Sequence, residues 1–517
     1  MINKFVRHFS LLAILLVTLL IVRHLLTPGF FPIHDTTHVA RLSLMNEAIK
    51  SGNIPPLWAD SANEGYGYPL FHFYAPLAYY FALVAKLVLP SYLIAIKASF
   101  VAAFVLAGLG MYRLSRRWGR GVAIIASCAY LLAPYLALNL YVRGALAELW
   151  AIAFLPWVFA SWHSLTKEAT SMIKTAIITT LFLLSHNLIP LITAPFLLAW
   201  VILHKRHLPR QVVITSLLTL SLSSFYLFPL LFERGFVQVS EIARTTEYSL
   251  HYVKPWQMWN STWGFGGSAP GVEDGISFKL GKLNIILALA GVIALYKKKS
   301  HHLNTFLAIS VLVTVFLTTS ASQFIWDSAS YLQMVQFPWR FLSLISFFLA
   351  MLAGFSISLF GNKITKYVYM LIVIASLLVL NLKYFTPQSK LDISDSNYLE
   401  GDYISSTLAN IVPEYLPTWM PDFPTTPAPD LPLILTGPST FTLPRAYYPT
   451  WQATLSGQPT SLTPSSTGLI MLDVPEGTHD LTLSQSHTLL EQLSLALSLA
   501  TLITIVVYCC RLRKISK

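Results

Sequence analysis

The sequence predicts an α-helical polytopic membrane protein of about twelve transmembrane helices, with a small external β-sandwich-like domain near the C-terminus. Three observations carry this reading. The 517 residues are 55% hydrophobic and only 11% charged, with a mean hydropathy of +0.59, a balance that soluble domains do not show. Apolar stretches of about the length a bilayer requires recur at 8–26, 92–112, 121–138, 149–163, 172–186, 188–203, 211–231, 283–296, 303–320, 341–360, 367–384 and 489–510. The composition then shifts after Leu382 to a segment rich in Pro, Ser and Thr, with short alternating runs such as Thr440-Phe-Thr-Leu and Gly468-Leu-Ile-Met-Leu-Asp-Val.

Charge orders these spans. With the N-terminus placed in the cytoplasm, the even-numbered connections and both tails hold 20 of the 35 lysines and arginines and, of the 23 acids, only Glu168. Lysine and arginine on one side of every pair of spans is the pattern that sets membrane orientation. Both termini are therefore expected in the cytoplasm of a multi-pass plasma-membrane protein. The formal net charge of +12 is then topology, and no nucleic-acid partner is needed to explain it. The three cysteines, Cys128, Cys509 and Cys510, make no disulfide framework. No small-residue cleavage site precedes Pro28, so the first span reads as an uncleaved anchor.

The chain divides into a transmembrane domain at 1–384, an external β-rich domain at 385–487, and a last span with a basic tail at 488–517. The first external loop, 27–91, carries the densest chemistry. Pro32-Ile-His-Asp-Thr-Thr-His-Val-Ala-Arg41 sets His34, Asp35, His38 and Arg41 close together just outside the first span. The segment Thr36 to Lys50 lacks Pro and Gly, and Gly52 stops it. Val39, Leu42, Met45 and Ile49 recur at helical spacing, with His38, Arg41 and Glu47 largely off that stripe. This predicts a short amphipathic helix on the membrane surface with Asp35 as its N-cap, where the helix dipole favours the carboxylate. Asp35 as a plain cap is the alternative reading. Asn63-Glu-Gly-Tyr-Gly-Tyr-Pro69 then predicts tight turns, and the apolar run Leu77–Leu89 predicts a second interfacial helix.

Further external residues gather polar chemistry. Arg143 and Glu148 lie five apart, a spacing compatible with a structural ion pair. Ser185-His186-Asn187 ends the fifth span. The loop from Phe232 to Lys282 carries Trp256, Trp259 and Trp263, which suit an interfacial aromatic belt or a sugar-binding face. Gln336-Phe-Pro-Trp-Arg340 places Arg340 at the outer boundary, as a snorkelling side chain or a bidentate phosphate clamp. In the tail, Pro475-Glu-Gly reads as a turn between two strands. The acids there, such as Asp402 and Glu414, sit in no recognisable pairing.

An acid in the first external loop, interfacial helices after it, and a second span ending in a cytoplasmic arginine cluster resemble the GT-C superfamily of polytopic glycosyltransferases. The stretches His34-Asp-Thr-Thr-His38, Gly65-Tyr-Gly-Tyr-Pro69, Arg143-Gly-Ala-Leu-Ala-Glu148, Ser185-His-Asn187 and Gln336-Phe-Pro-Trp-Arg340 are similar to a membrane family labelled 6-pyruvoyl-tetrahydropterin synthase-related. No soluble pterin-synthase domain with its zinc-binding histidines is read in the chain. Tyr447-Tyr-Pro-Thr-Trp-Gln, followed by Val474-Pro-Glu-Gly-Thr-His, is similar to the external domain of YfhO-like proteins, with Thr450 in place of the Gly of their Pro-Gly-Trp turn.

The resemblance implies an inverting transferase that moves a sugar from a polyprenyl-phosphate donor to an envelope glycan or glycolipid acceptor at the membrane lipid surface. It implies Asp35 as the catalytic carboxylate, a general base, with His34 and His38 beside it. Arg41, Glu64, Tyr66, Arg143, Glu148, His186, Asn187, Trp263 and Arg340 are the candidate substrate-binding residues. No cofactor is fixed, and a divalent metal held by His34, Asp35 and His38 is an option. A transporter or flippase for lipid-linked sugars and a non-catalytic envelope scaffold are the competing functions. Transporters favour broken helices and midplane charges. Here Lys97 is the one ionisable group well inside a span, and polar residues gather at the outer face.

Overall fold

A computed structural model describes residues 2–239, 247–269, 274–400, 403–404 and 413–515. Each of the twelve expected spans coincides with helix. Among the described residues, seven helices are long and apolar enough to cross a bilayer, or eight if a bent pair counts as one span. The bent pair is Arg120–Leu131 and Pro134–Tyr141, angled by 41°. Pro134 at the start of the second piece lacks the N–H that would continue the first, which accounts for the break. The apolar helices Ser10–Leu26 and Ala169–Leu183 are shorter than a full span. Leu146–His163 and Lys282–Lys297 also fall outside the seven.

The chain forms two compact units. The first comprises Met1–Thr36, Pro76–Ser216 and Thr246–Ser394. At its centre is the helix Leu342–Phe355, every residue of which is buried. In its span Pro338–Leu359, 89% of the apolar window is buried, against 22% for Lys363–Tyr384, which leaves most of that helix facing outward. Leu342–Phe355 packs on Lys282–Lys297 and Arg120–Leu131. Gly291 permits the first contact, because a Cβ there would lie 1.8 Å from the Leu352 carbonyl oxygen. Small residues at such crossings let backbones approach where no water drives association. The run Leu77–Leu89 forms the helix Leu77–Lys86. It buries Ala78, Tyr79 and Ala82 and exposes Val84, and Leu87 and Val88 just beyond it are exposed too.

The second unit comprises Thr37–Ala75, Leu217–Thr245 and Asp395–Lys517. Its sheet has five strands: β1 Ile434–Ala446, β2 Trp451–Leu455, β3 Gln458–Thr460, β4 Thr463–Pro464 and β5 Leu469–Gln485. The order is β1-β5-β2-β3, with β4 on β5, and all pairs are antiparallel. β5 pairs with β1 over residues 469–480 and with β2 over 481–485, so a single sheet wraps Leu435, Leu443, Leu455, Ile470, Leu472 and Leu481. The expected small β-domain is thus present as one curled five-stranded sheet. Pro475-Glu-Gly is not a turn between strands. Gly437 faces both Glu476 and Gly477, a bulge that bends one continuous strand. The sheet begins at Ile434, and the described part of 385–433 holds only short helical turns and irregular chain. Asp402 lies outside the described residues.

The first external loop departs from expectation at its centre. The helix does not begin at Asp35: it runs His38–Lys50 with Thr37 at the cap position, and Thr37 does not cap it through its side chain. The Asp35 N–H donates to the Arg143 carbonyl, as that of His34 does to Val142. Nor does the helix lie amphipathic on a surface. His38 and Arg41 are buried, as are Val39, Leu42 and Met45, so both faces are covered.

Candidate functional site

The polar centre of the first unit is built on the break at Pro134. The short helix Pro134–Tyr141 carries Tyr135 and Asn139 four residues apart, hence on one face. Both reach Glu148: the Tyr135 hydroxyl donates to Oε1 at 2.6 Å and Asn139 Nδ2 to the same oxygen at 3.4 Å. Glu148 sits in the first turn of Leu146–His163, where the helix dipole favours a carboxylate. Arg143 donates from Nη1 to Glu148 Oε2 at 2.8 Å and to Asn139 Oδ1. Its guanidinium lies 4.6 Å from the centroid of Trp339. The ion pair expected from the five-residue spacing is thus present, and it is buried: the side chains are 14% and 1% exposed.

The turn between these two helices latches the Asp35 segment. Val142 and Arg143 offer the carbonyls that His34 and Asp35 engage at 3.0 and 2.9 Å. Gly144 has φ +65, and a Cβ on it would meet Ile33 Cδ1 at 2.4 Å. Only glycine satisfies both the turn and the close approach. The Asp35 charge acts on Arg143. His34 Nε2 lies 3.0 Å from the Phe265 carbonyl oxygen, which ties the segment to the tryptophan loop.

His186 and Arg340 complete the group. His186 stands in the turn after Ala169–Leu183, and its Nδ1 accepts from the N–H groups of Leu188 and Ile189 at 2.9 and 3.2 Å. The ring caps the next helix, and its acceptor nitrogen must be unprotonated to do so. Arg340 lies in the 3₁₀ turn Pro338–Phe341, donating to the Val335 carbonyl and, at 3.2 Å, to Gln336 Oε1. Glu148 precedes the expected span 149–163, and His186 stands beyond the end of the helix Ala169–Leu183. Burial pushes the Glu148 carboxyl up, but Arg143, His186 and Arg340 outweigh it and hold its pKa at about 2. Burial lowers His186, Glu148 opposes this, and Arg340 and Arg143 add to it, leaving it at about 4. Burial also opposes the Arg143 charge, yet Glu148 and Asp35 raise its pKa. At neutral pH this is one fixed carboxylate and a neutral imidazole among two guanidinium ions, with Asp35 beside them.

The remaining expected residues fall elsewhere. Trp263 packs on Tyr384 with centroids 4.7 Å apart, while Trp256 and Trp259 are exposed, as interfacial tryptophans are. Lys97 Nζ donates to the Thr27 carbonyl at 2.8 Å. In the second unit, the Arg41 guanidinium lies 4.4 Å from the centroid of Tyr74. The Asn63–Gly67 turn docks on the strand region: the Glu64 carbonyl accepts from Ala428, that of Tyr66 from Ala446, and that of Gly65 from Arg445. Glu64 and Tyr66 thus make backbone bonds in this turn. His34, Asp35 and His38 form no three-ligand metal group among the described residues, so the metal option gains no geometric support there. Tyr135 and Asn139 are the members of the centre that sequence reasoning passed over. Tyr135 lies inside the expected span 121–138 and Asn139 just beyond it, and their i, i+4 spacing upstream of Arg143 and Glu148 was the available signal.

Apolar helices around a buried charged centre at the ends of spans define a helical multi-pass membrane protein. The family described as "6-pyruvoyl-tetrahydropterin synthase related domain; membrane protein" matches residues 71–387, and the chain belongs to it. An uncharacterized protein of Lactococcus lactis subsp. cremoris (strain MG1363) is 24% identical over 209 residues, 37% of this chain and 34% of that one. The match therefore spans about a third of the curated relative's length. Among solved structures, the chain is similar to the arabinofuranosyltransferase AftD from Mycobacteria, at 13% identity and TM-score 0.48 over 75% of this chain and 28% of that chain. It is also similar to the Archaeoglobus fulgidus oligosaccharyltransferase, at 13% identity and TM-score 0.43 over 75% and 57%.

Proposed function

We propose that the protein is a membrane glycosyltransferase that moves a sugar from a polyprenyl-phosphate donor to an envelope glycan or glycolipid. The observation that carries this reading is the backbone latch that sets Asp35 against the Arg143–Glu148 pair, within the electrostatic group that also holds Arg340. Inverting transfer asks for a carboxylate to take the acceptor's hydroxyl proton as that oxygen attacks the anomeric carbon. It asks for cations where the leaving phosphate gathers charge. Asp35 is the base in this scheme and Arg340 the phosphate ligand. Arg143, already committed to Glu148 and Asn139, orients the centre and lends it positive field. His34 and His38 flank the base in sequence. The external β-rich domain, 385–487, is an accessory for glycan contact, and both termini are cytoplasmic.

The test is incubation of the purified protein with a panel of polyprenyl-phosphate sugars, with release of polyprenyl phosphate as the readout. Release that requires an acceptor supports transfer. A second reading, translocation of a lipid-linked sugar, is favoured by the break between Arg120–Leu131 and Pro134–Tyr141, since broken helices line many transport sites. Movement of donor across proteoliposome membranes without phosphate release selects that reading instead.

A further inference from the structure

We infer a structural divalent-cation site in the second unit, formed by His72, Glu233 and Glu491. It is independent of the glycosyltransferase proposal. The three residues come from three separate segments: the short helix Leu70–Phe73, the residue after the helix Pro209–Phe232, and the first turn of Leu489–Ile515. Their side chains are 1%, 6% and 4% exposed. His72 Nε2 lies 2.9 Å from Glu233 Oε2, and Nδ1 lies 3.1 Å from Glu491 Oε1. One ligand atom from each residue falls within 4.8 Å of the others. Ligand atoms about 2.1 Å from a tetrahedral ion stand about 3.4 Å apart, so modest adjustment suffices.

Two observations point to an ion rather than to a hydrogen-bonded triad. His72 Nε2, Glu233 Oε2 and Glu491 Oε1 are buried and in ion-pair contact, yet none makes a hydrogen bond of good geometry. Lone pairs that converge without donor geometry are what a cation requires, and buried polar atoms otherwise find partners. Beside His72 and Glu491 is a cavity of about 20 Å³, also lined by Trp58, Tyr448, Thr450 and His487, room for one water or ion and for no sugar. The outer carboxylate oxygens are already held: Glu233 Oε1 accepts from Thr488 Oγ1 at 2.6 Å, and Glu491 Oε2 from the Thr488 N–H at 2.9 Å. One imidazole with two carboxylates suits Zn²⁺ or Mn²⁺. The enclosure makes it a clip between three segments rather than a reaction centre.

The experiment uses the untagged full-length protein in detergent, stripped with EDTA, desalted, and titrated with Zn²⁺ and with Mn²⁺. Metal content after a second desalting and the thermal unfolding midpoint are both read. The expected result is one retained ion per chain and a midpoint raised by about 5 °C or more. His72→Asn and Glu233→Gln that remain monodisperse should weaken retention at least about tenfold, while His301→Asn with His302→Asn, at an exposed histidine pair, leaves it intact. Wild-type protein that retains no stoichiometric ion and shows no midpoint shift overturns the site. So does full retention by a folded His72→Asn variant, or loss of the ion in the His301, His302 pair alone.

Discussion

Arg143 and Glu148 share one buried polar knot, so removing either partner leaves a charge without its complement. Glu148→Gln is expected to cost about 3–5 kcal/mol of stability, the usual range for a broken buried pair. Arg143→Ala with Glu148→Ala should cost less than the two single changes added together. Thermal unfolding of the four proteins in one detergent checks both statements. The site also sets a pH dependence. The unfolded chain takes up a proton at His186 near the ordinary 6.5, the folded chain only near 4. Below about 6.5 the unfolded state binds more protons, so the stability His186 contributes is present above that pH and is lost as pH falls towards 4. Glu148, with an ordinary value of 4.5 and a folded one of about 2, adds a second loss in the more acid window. Unfolding midpoints measured from pH 7.5 to 4 should therefore fall, and His186→Gln should flatten the upper part of that curve. A curve unchanged by His186→Gln counts against this assignment.

Elements deliver these residues to one place. Pro134 breaks a span so that Tyr135 and Asn139 face Glu148, and Gly144 lets Ile33 close over the turn that holds His34 and Asp35. Gly144→Ala should displace residues 33–35 and lower both stability and any transfer activity, while Gly267→Ala, where a Cβ meets nothing within 4 Å, should change neither by much. Activity and unfolding assays of the two variants, run together, check the contrast. At this scale the sequence was readable where its signals were periodic: every apolar stretch fell on helix. It was misread where long-range backbone pairing overrode local pattern. The helix is expected from Asp35 because Pro and Gly are absent from Thr36–Lys50, but it begins at His38, while the Asp35 N–H pairs with the Arg143 carbonyl. The His38–Lys50 helix looks amphipathic because His38 and Arg41 are polar, yet the fold buries both. Pro475-Glu-Gly reads as a turn because nothing local announces that Gly437 opposes it across a bulge. His72, Glu233 and Glu491 were invisible for the same reason, being brought together from positions 72, 233 and 491 by tertiary structure alone.

For the molecule as a whole, the positive-inside pattern predicts that reporters fused at Lys299 and at Ser456 report opposite sides of the membrane. The same side for both would break the topology on which an external Asp35 depends. Composition and charge sorting made the membrane class plain, and the order of motifs pointed to the family; the donor and acceptor leave no such trace in the chain. The central claim is that Asp35 is the general base, and Asp35→Asn tests it most directly. The substitution keeps size and a side-chain oxygen able to accept a capping hydrogen bond, and removes the basic oxygen. Transfer from a polyprenyl-phosphate sugar donor shown to be a substrate of the wild-type protein should fall by about 10²–10⁴-fold, with donor binding and the unfolding midpoint nearly unchanged; transfer by Asp35→Asn at the wild-type rate would contradict the account.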